Sequence, residues 1–143
     1  NHAWCMEVEG WLIDKSALVR LADSPHAGKW TDRINSGQVH LSTITRLEVG
    51  YSARSGADLT KAMATPPISK MPIEGLTPAI EELAWQSLQL LAKKGHHRAP
   101  SLADLMIAAT AQLCGLTVLH VDKDFELISK ATGVQVEKLK IKQ

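Results

Sequence analysis

The sequence predicts an α/β domain with a central, mainly parallel sheet and helices on both faces. Three observations carry that expectation. Short apolar runs alternate with stretches of helical spacing, the β–α–β–α rhythm that produces parallel sheets. Acidic residues adjoin those runs at Asp14, Glu48, Asp104 and the Asp122/Asp124 pair, and open parallel sheets gather ligands at the carboxyl ends of their strands. At 143 residues, 45% hydrophobic and 22% charged, the chain has the size and composition of one globular domain with a substantial core.

Taken in order, Trp11-Leu12-Ile13 reads as a buried strand ended by Asp14. Ser16 to Leu21 reads as a helix with Ser16 as its N-cap. Lys29 to Ser36 forms a second helix, stopped by Gly37. Gln38 to Ile44 is the next strand, and Thr45-Arg46-Leu47-Glu48 opens a helix running toward Arg54. Residues 57–64 are a helical stretch ended by Pro66-Pro67. Met71-Pro72-Ile73 is a short edge strand at best, because proline supplies no N–H. Thr77-Pro78 starts the longest helix, where Ile80, Leu83, Ala84, Leu88 and Leu91 repeat at three- and four-residue intervals up to the stop at Gly95. Lys93 to Arg98 is a polar loop, and Ser101 to Gly115 a strongly apolar helix. Thr117 to Val121 is a strand, Phe125 to Lys130 a short helix, and Val134 to Ile141 a final edge strand. Residues 11–143 thus form a single domain. Residues 1–10 read as a leader or a cloning remnant, with Met6 a candidate natural start.

Composition narrows the class. A net charge of +1 gives no overall positive field, so a polyanion must be held by a local patch or through metal ions. Cys5 and Cys114 have no metal-ligand spacing; two reduced thiols in a cytoplasmic protein is the simplest reading, with a disulfide left open. No apolar stretch approaches the roughly 20 residues that span a bilayer, and no secretory signal is visible.

Each acid has an ordinary structural reading. Thr45-x-x-Glu48 and Ser101-x-x-Asp104 match the capping box, Asp124 can cap the helix at Phe125, and Asp122 can end a strand. Asp14 is harder to explain by capping, since Ser16 already offers a cap. A buried unpaired carboxylate costs several kcal/mol, and the partners this topology brings near Asp14 are other acids. A shared cation resolves that conflict. All-oxygen ligands suit Mg²⁺ or Mn²⁺, whose chemistry at phosphate is water activation and charge neutralisation. Zinc lacks a Cys/His set, and the adjacent His96 and His97 read as a solvated or phosphate-contacting pair.

Four blocks then occur in order: Ile13-Asp14-Lys15-Ser16-Ala17, Arg46-Leu47-Glu48-Val49-Gly50, Pro100-Ser101-Leu102-Ala103-Asp104-Leu105-Met106-Ile107-Ala108-Ala109, and His120-Val121-Asp122-Lys123-Asp124-Phe125. In this the chain resembles PIN-domain proteins, specifically the VapC-type toxins of bacterial toxin–antitoxin pairs, from about Trp11 to about Val136. The resemblance implies a PIN-like α/β/α sandwich and a Mg²⁺- or Mn²⁺-dependent endoribonuclease that hydrolyses RNA by metal-activated water. It implies Asp14 and Asp104 as core metal ligands, Glu48 completing the site or orienting a water, and Asp122 as the fourth acid. Asp124 would be a further or alternative ligand, and Ser16 would hydrogen-bond within the cluster. Lys15 and His120 depart from the threonines frequent at their positions. Lys15 is expected to turn outward; strand alternation puts His120 on the same side as Asp122, and it is read as a packed structural residue, with a hydrogen bond to the acids as the alternative.

The basic loop of Lys93, Lys94, His97 and Arg98 ends just before the helix carrying Asp104, and it is expected to steer an RNA backbone there. The resemblance further implies a homodimer and a VapB-like antitoxin. The apolar residues around Leu59, Met63 and Ile68, beside the Pro66-Pro67 turn, are read either as part of the antitoxin surface or as packing inward. Two other classes compete. A phosphotransfer domain of similar topology would want Asp-x-Asp after the first strand, where this chain has Asp14-Lys15-Ser16. A catalytically degenerate PIN domain would bind RNA or antitoxin without cutting.

Overall fold

A computed structural model describes residues 9–142; Cys5, Met6 and most of the expected leader lie outside them. Five strands form one all-parallel sheet: β1 (Trp11–Ile13), β2 (Val39–Ser42), β3 (Ile73–Glu74), β4 (Thr117–His120) and β5 (Val136–Lys138), in the order β3-β2-β1-β4-β5. Seven α-helices connect them: α1 (Lys15–Leu18), α2 (Ala27–Asn35), α3 (Thr43–Tyr51), α4 (Gly56–Ala64), α5 (Pro78–Lys93), α6 (Leu102–Cys114) and α7 (Lys123–Thr132).

Strand alternation divides the core into two layers. Leu12 and Val118 face α5, α6 and α7, where they join Ile80, Leu91, Ile107, Phe125 and Ile128. Trp11, Ile13, Val39, Leu41 and Leu119 face the other way, against Ala17 of α1 and Trp30 and Ile34 of α2. Arg33 lies over two touching indoles of that second layer, its guanidinium 4.3 Å from the Trp11 ring and 4.5 Å from the Trp30 ring. The expected α/β/α sandwich is what forms.

Local chemistry explains the element ends, and three caps differ from the sequence expectation. Asp14, not Ser16, caps α1: its carboxylate accepts from the Ala17 amide, and the Ser16 hydroxyl donates to that carboxylate. Helix α3 begins two residues before Thr45, capped by Ser42, so Glu48 lies mid-helix with no capping role. Asp122, not Asp124, caps α7, because the helix begins at Lys123, two residues before the expected start at Phe125. The Ser101/Asp104 capping box is present on α6, and Gly115 ends that helix at φ +69°, in the left-handed region. The first helix is one turn followed by a 3₁₀ turn at Leu21–Asp23, and the two edge strands are shorter than their apolar runs.

Strand order reverses between β1 and β4: the chain leaves β1 for β2 on one side and reaches β4 on the other. The crevice at the carboxyl ends of these two strands is the position where such sheets bind ligands. Asp14 ends β1 and Asp122 follows β4, so both arrive there by topology.

Candidate active site

The crevice is a cleft of about 530 Å³ bordered by Asp14, Glu48, Asp104, Asp122 and Asp124 together with Ser16. Every acid expected at the site is thus brought to one place. Within it the tightest set is Asp104, Asp122 and Asp124, one oxygen from each lying within 4.8 Å of the others. Asp14 and Glu48 stand outside that set on the cleft wall. Asp14 is drawn back by its own bonds: Ser16 Oγ donates to both carboxylate oxygens at 2.7 and 2.9 Å, and the Ala17 amide donates at 3.1 Å. The same Ser16 hydroxyl accepts from the Val121 amide at 3.0 Å, tying the end of β4 to the start of α1.

Burial shapes the electrostatics. Asp14 is 5% exposed and Asp104 9%. Burial raises the Asp104 carboxyl to about 6, against the lowering effect of the Ser101 amide; the charges of Asp122 and Asp14 raise it further. Burial also raises Asp14, opposed by Ser16 and Ala17. Glu48 is raised by burial and by Asp14, with Lys15 pulling the other way. Among the described residues no lysine or arginine forms an ion pair with any of these acids. Like charges held this close without a counter-charge fit a hard divalent cation: the donors are all oxygen, and the unmet need is positive charge. The residues present therefore fit a metal, with Asp104, Asp122 and Asp124 nearest to sharing one and Asp14 beside them.

Cations ring the cleft rather than fill it. Lys15 does not simply turn outward: its ammonium donates to the Ser52 hydroxyl beyond Glu48, and it lines the cleft. Arg98 lines the cleft too, whereas Lys93, Lys94 and His97 are exposed and away from its wall. Sequence reasoning missed Arg20, which also borders the cleft and donates from Nη1 to the Ser16 carbonyl at 2.8 Å. The available cue was its position four residues after Ser16, one turn along the same face. His120 is fully buried, as a packed residue should be, and its ring makes a polar contact with Glu126.

A second, larger groove of about 810 Å³ adjoins the cleft, sharing Lys15 and Glu48 with it. Leu47, Gly50 and Tyr51 of α3 form one wall, and Leu59 and Met63 of α4 the other. Leu47 is 65% exposed and Tyr51 93%. Gly50 allows the helices to approach, since a Cβ there would lie 3.1 Å from Leu59 Cδ1. Ile68 is not part of this surface; it packs inward against the Trp11–Trp30 layer. The signal for the α3 wall was an apolar stripe at Leu47, Gly50 and Tyr51, on the face opposite the buried Thr45.

Comparison with known proteins agrees with this geometry. The PIN domain family matches residues 11–131. Ribonuclease VapC2 of Mycobacterium tuberculosis (strain CDC 1551 / Oshkosh) is 56% identical over 94% of this chain and 95% of its own length. Ribonuclease VapC51 of Mycobacterium tuberculosis (strain ATCC 25618 / H37Rv) is 34% identical over 86% of this chain and 88% of its own. Among solved structures, DNA-bound VapBC from Salmonella typhimurium superposes with a TM-score of 0.73 at 21% identity, covering 92% of this chain and 98% of that one. A match over nearly the whole sheet and all four acidic blocks, together with the 56% identity to a VapC ribonuclease, means that the chain belongs to the PIN-domain family, in its VapC group.

Proposed function

We infer that this protein is a VapC-type endoribonuclease, the toxin of a VapBC pair acting in the cytoplasm. The observation that carries the reading is the uncompensated acidic cleft at the β1/β4 switch point, on a chain 56% identical to a protein named a VapC ribonuclease. Asp104, Asp122 and Asp124, with Asp14, would hold Mg²⁺ or Mn²⁺. Bound there, such an ion would neutralise charge on the scissile phosphate and make an attacking water more acidic.

The chain's own residues supply the rest. Ser16 fixes the plane of the Asp14 carboxylate. The box with Ser101 does the same for Asp104. Glu48, half-buried with a raised carboxyl, is placed to accept a proton from water or to orient it. Arg98 and Arg20 at the rim meet the phosphates flanking the cleft, and Lys93 and Lys94 add longer-range attraction.

The groove between α3 and α4 is the surface proposed for a VapB-like antitoxin. It is apolar, adjoins the catalytic cleft, and displays Leu47 and Tyr51 without cover. A segment seated in it ends beside Lys15 and Glu48, where a basic side chain can reach the acids. The protein is further proposed to act as a homodimer. The test is RNA-end mapping after brief expression, comparing wild type with Asp104→Asn: new ends that depend on Asp104 support the reading, and ends unchanged by the substitution refute it.

A further inference from the structure

His120 ends β4 one strand away from Asp14, and it is completely buried. The register pairs Leu12 with Val118 and Ile13 with Leu119, and the Asp14 amide continues the ladder by donating to the Leu119 carbonyl at 3.0 Å. Side chains alternate along strands, so Asp14 and His120 leave adjacent strands on the same face, the one covered by α6 and α7. The imidazole packs 5.4 Å from the Phe125 ring, centroid to centroid. Its Nε2 lies 3.1 Å from Glu126 Oε2, and its Nδ1 has no hydrogen-bond partner among the described residues.

Those contacts define what the ring offers. An ionised glutamate only accepts, so Nε2 donates to Glu126, and the neutral ring then carries a lone pair on Nδ1. A buried acceptor without a donor costs about 1–3 kcal/mol. The neighbouring Asp14 carboxylate cannot supply that donor, because it is an acceptor itself. One water donating a hydrogen to each satisfies both groups. Ser16 and Ala17 hold the Asp14 carboxylate only from its own side of the chain. A bond from the β4 side would complete its orientation.

We propose that His120 is a positioning residue for Asp14: Glu126 sets the tautomer of the ring, and Nδ1 holds a buried water that fixes the Asp14 carboxylate toward the cleft. Only the metal-binding part of the test rests on the metal reading above.

The deciding measurement is the imidazole ¹⁵N shifts of His120 in the metal-free full chain. The expected result is the Nε2–H tautomer, with an Nδ1 resonance that moves in Asp14→Asn while Nε2 stays in place. An Nδ1–H tautomer, or an Nδ1 resonance indifferent to Asp14→Asn, overturns the proposal. Calorimetric Mn²⁺ titration of folded variants adds a second readout. His120→Asn keeps an acceptor at the Nδ1 position and should bind within about threefold of wild type. His120→Gln keeps the Glu126 bond but lacks that acceptor, and should bind about 10–100-fold more weakly. Equal Mn²⁺ affinity in His120→Gln and wild type overturns the positioning role even if His120→Gln melts lower. If wild type itself bound no Mn²⁺, the metal reading would fall, and the nitrogen shifts would still decide on His120.

Discussion

Removing one charge from the acidic cleft should make the metal-free protein more stable, and Asp104→Asn is the substitution that shows it. The Asp104 carboxyl is raised from 3.8 to about 6 in the folded chain. The folded state therefore binds this proton more tightly than the unfolded state between those two values. Stability falls as pH rises through that window, and the full penalty is present above about 6. Two pK units correspond to at most ~3 kcal/mol. Asp104 opens onto a solvent-filled cleft, so screening reduces this to about 1–2 kcal/mol. Asparagine keeps an oxygen for the Ser101 amide, so the capping box survives the change. At neutral pH in EDTA the variant should melt roughly 3–8 °C above wild type, and its advantage should disappear near pH 4. Saturating Mg²⁺ should reverse the order, since ligand at 100 times its Kd stabilises wild type by about 2.7 kcal/mol. Urea or thermal unfolding across pH 4–7.5, with EDTA and with Mg²⁺, reads all of this. A variant that melts below wild type at pH 7 in EDTA would show that Asp104 is satisfied without a cation, and the argument for a metal centre would fail.

Three further outcomes follow from the same geometry. Asp14→Asn should lower RNA cleavage about 10²–10⁴-fold with its circular dichroism unchanged, because asparagine caps helices as well as aspartate does; a fluorogenic RNA substrate measures it. Arg98→Ala should weaken RNA binding and reduce the slope of log affinity against log salt by about 1, while Lys93→Ala should change that slope less, since Lys93 is off the cleft wall. Leu47→Asp, on the exposed wall of the α3/α4 groove, should weaken antitoxin capture by about 2 kcal/mol while leaving metal-dependent cleavage intact, as pull-down and cleavage assays on one preparation will show.

The fold was readable because its signals are local and repeated. Gly95, Gly115 and the Ser101 box mark helix ends that propensity alone predicts, and the apolar runs 11–13 and 117–120 are strands because both their faces are covered. The caps at Asp14, Ser42 and Asp122 were misassigned for one shared reason. Each helix follows its strand after at most two residues, so the polar residue at or just past the strand's end becomes the cap. A residue-by-residue reading expects a gap there. The five acids could be named from their positions, but not the way they divide. That Asp104 meets Asp122 and Asp124 depends on how distant segments pack, and that Asp14 is pulled back depends on a side-chain rotamer held by Ser16. The α3/α4 groove was only half visible, because Leu47 and Tyr51 look like core residues until Thr45 is seen to take the buried face.

Asp14 shows why these details belong together. Its carboxylate caps α1, which would ordinarily explain it fully and leave no charge to spare. Yet Ser16 and Ala17 occupy only part of its acceptor capacity: two oxygens offer about four lone-pair sites. Burial holds its carboxyl above the usual range in spite of those bonds. The cost of burying this carboxylate is met if the remaining lone pairs face a cation from the cleft and a donor from the β4 side. Both directions converge on the end of the same two strands, so the switch in sheet order that brings Asp14 and Asp122 together also sets His120 behind them. Capping is this residue's structural role and metal binding its proposed one, and substitutions that preserve the cap while removing the charge will separate them.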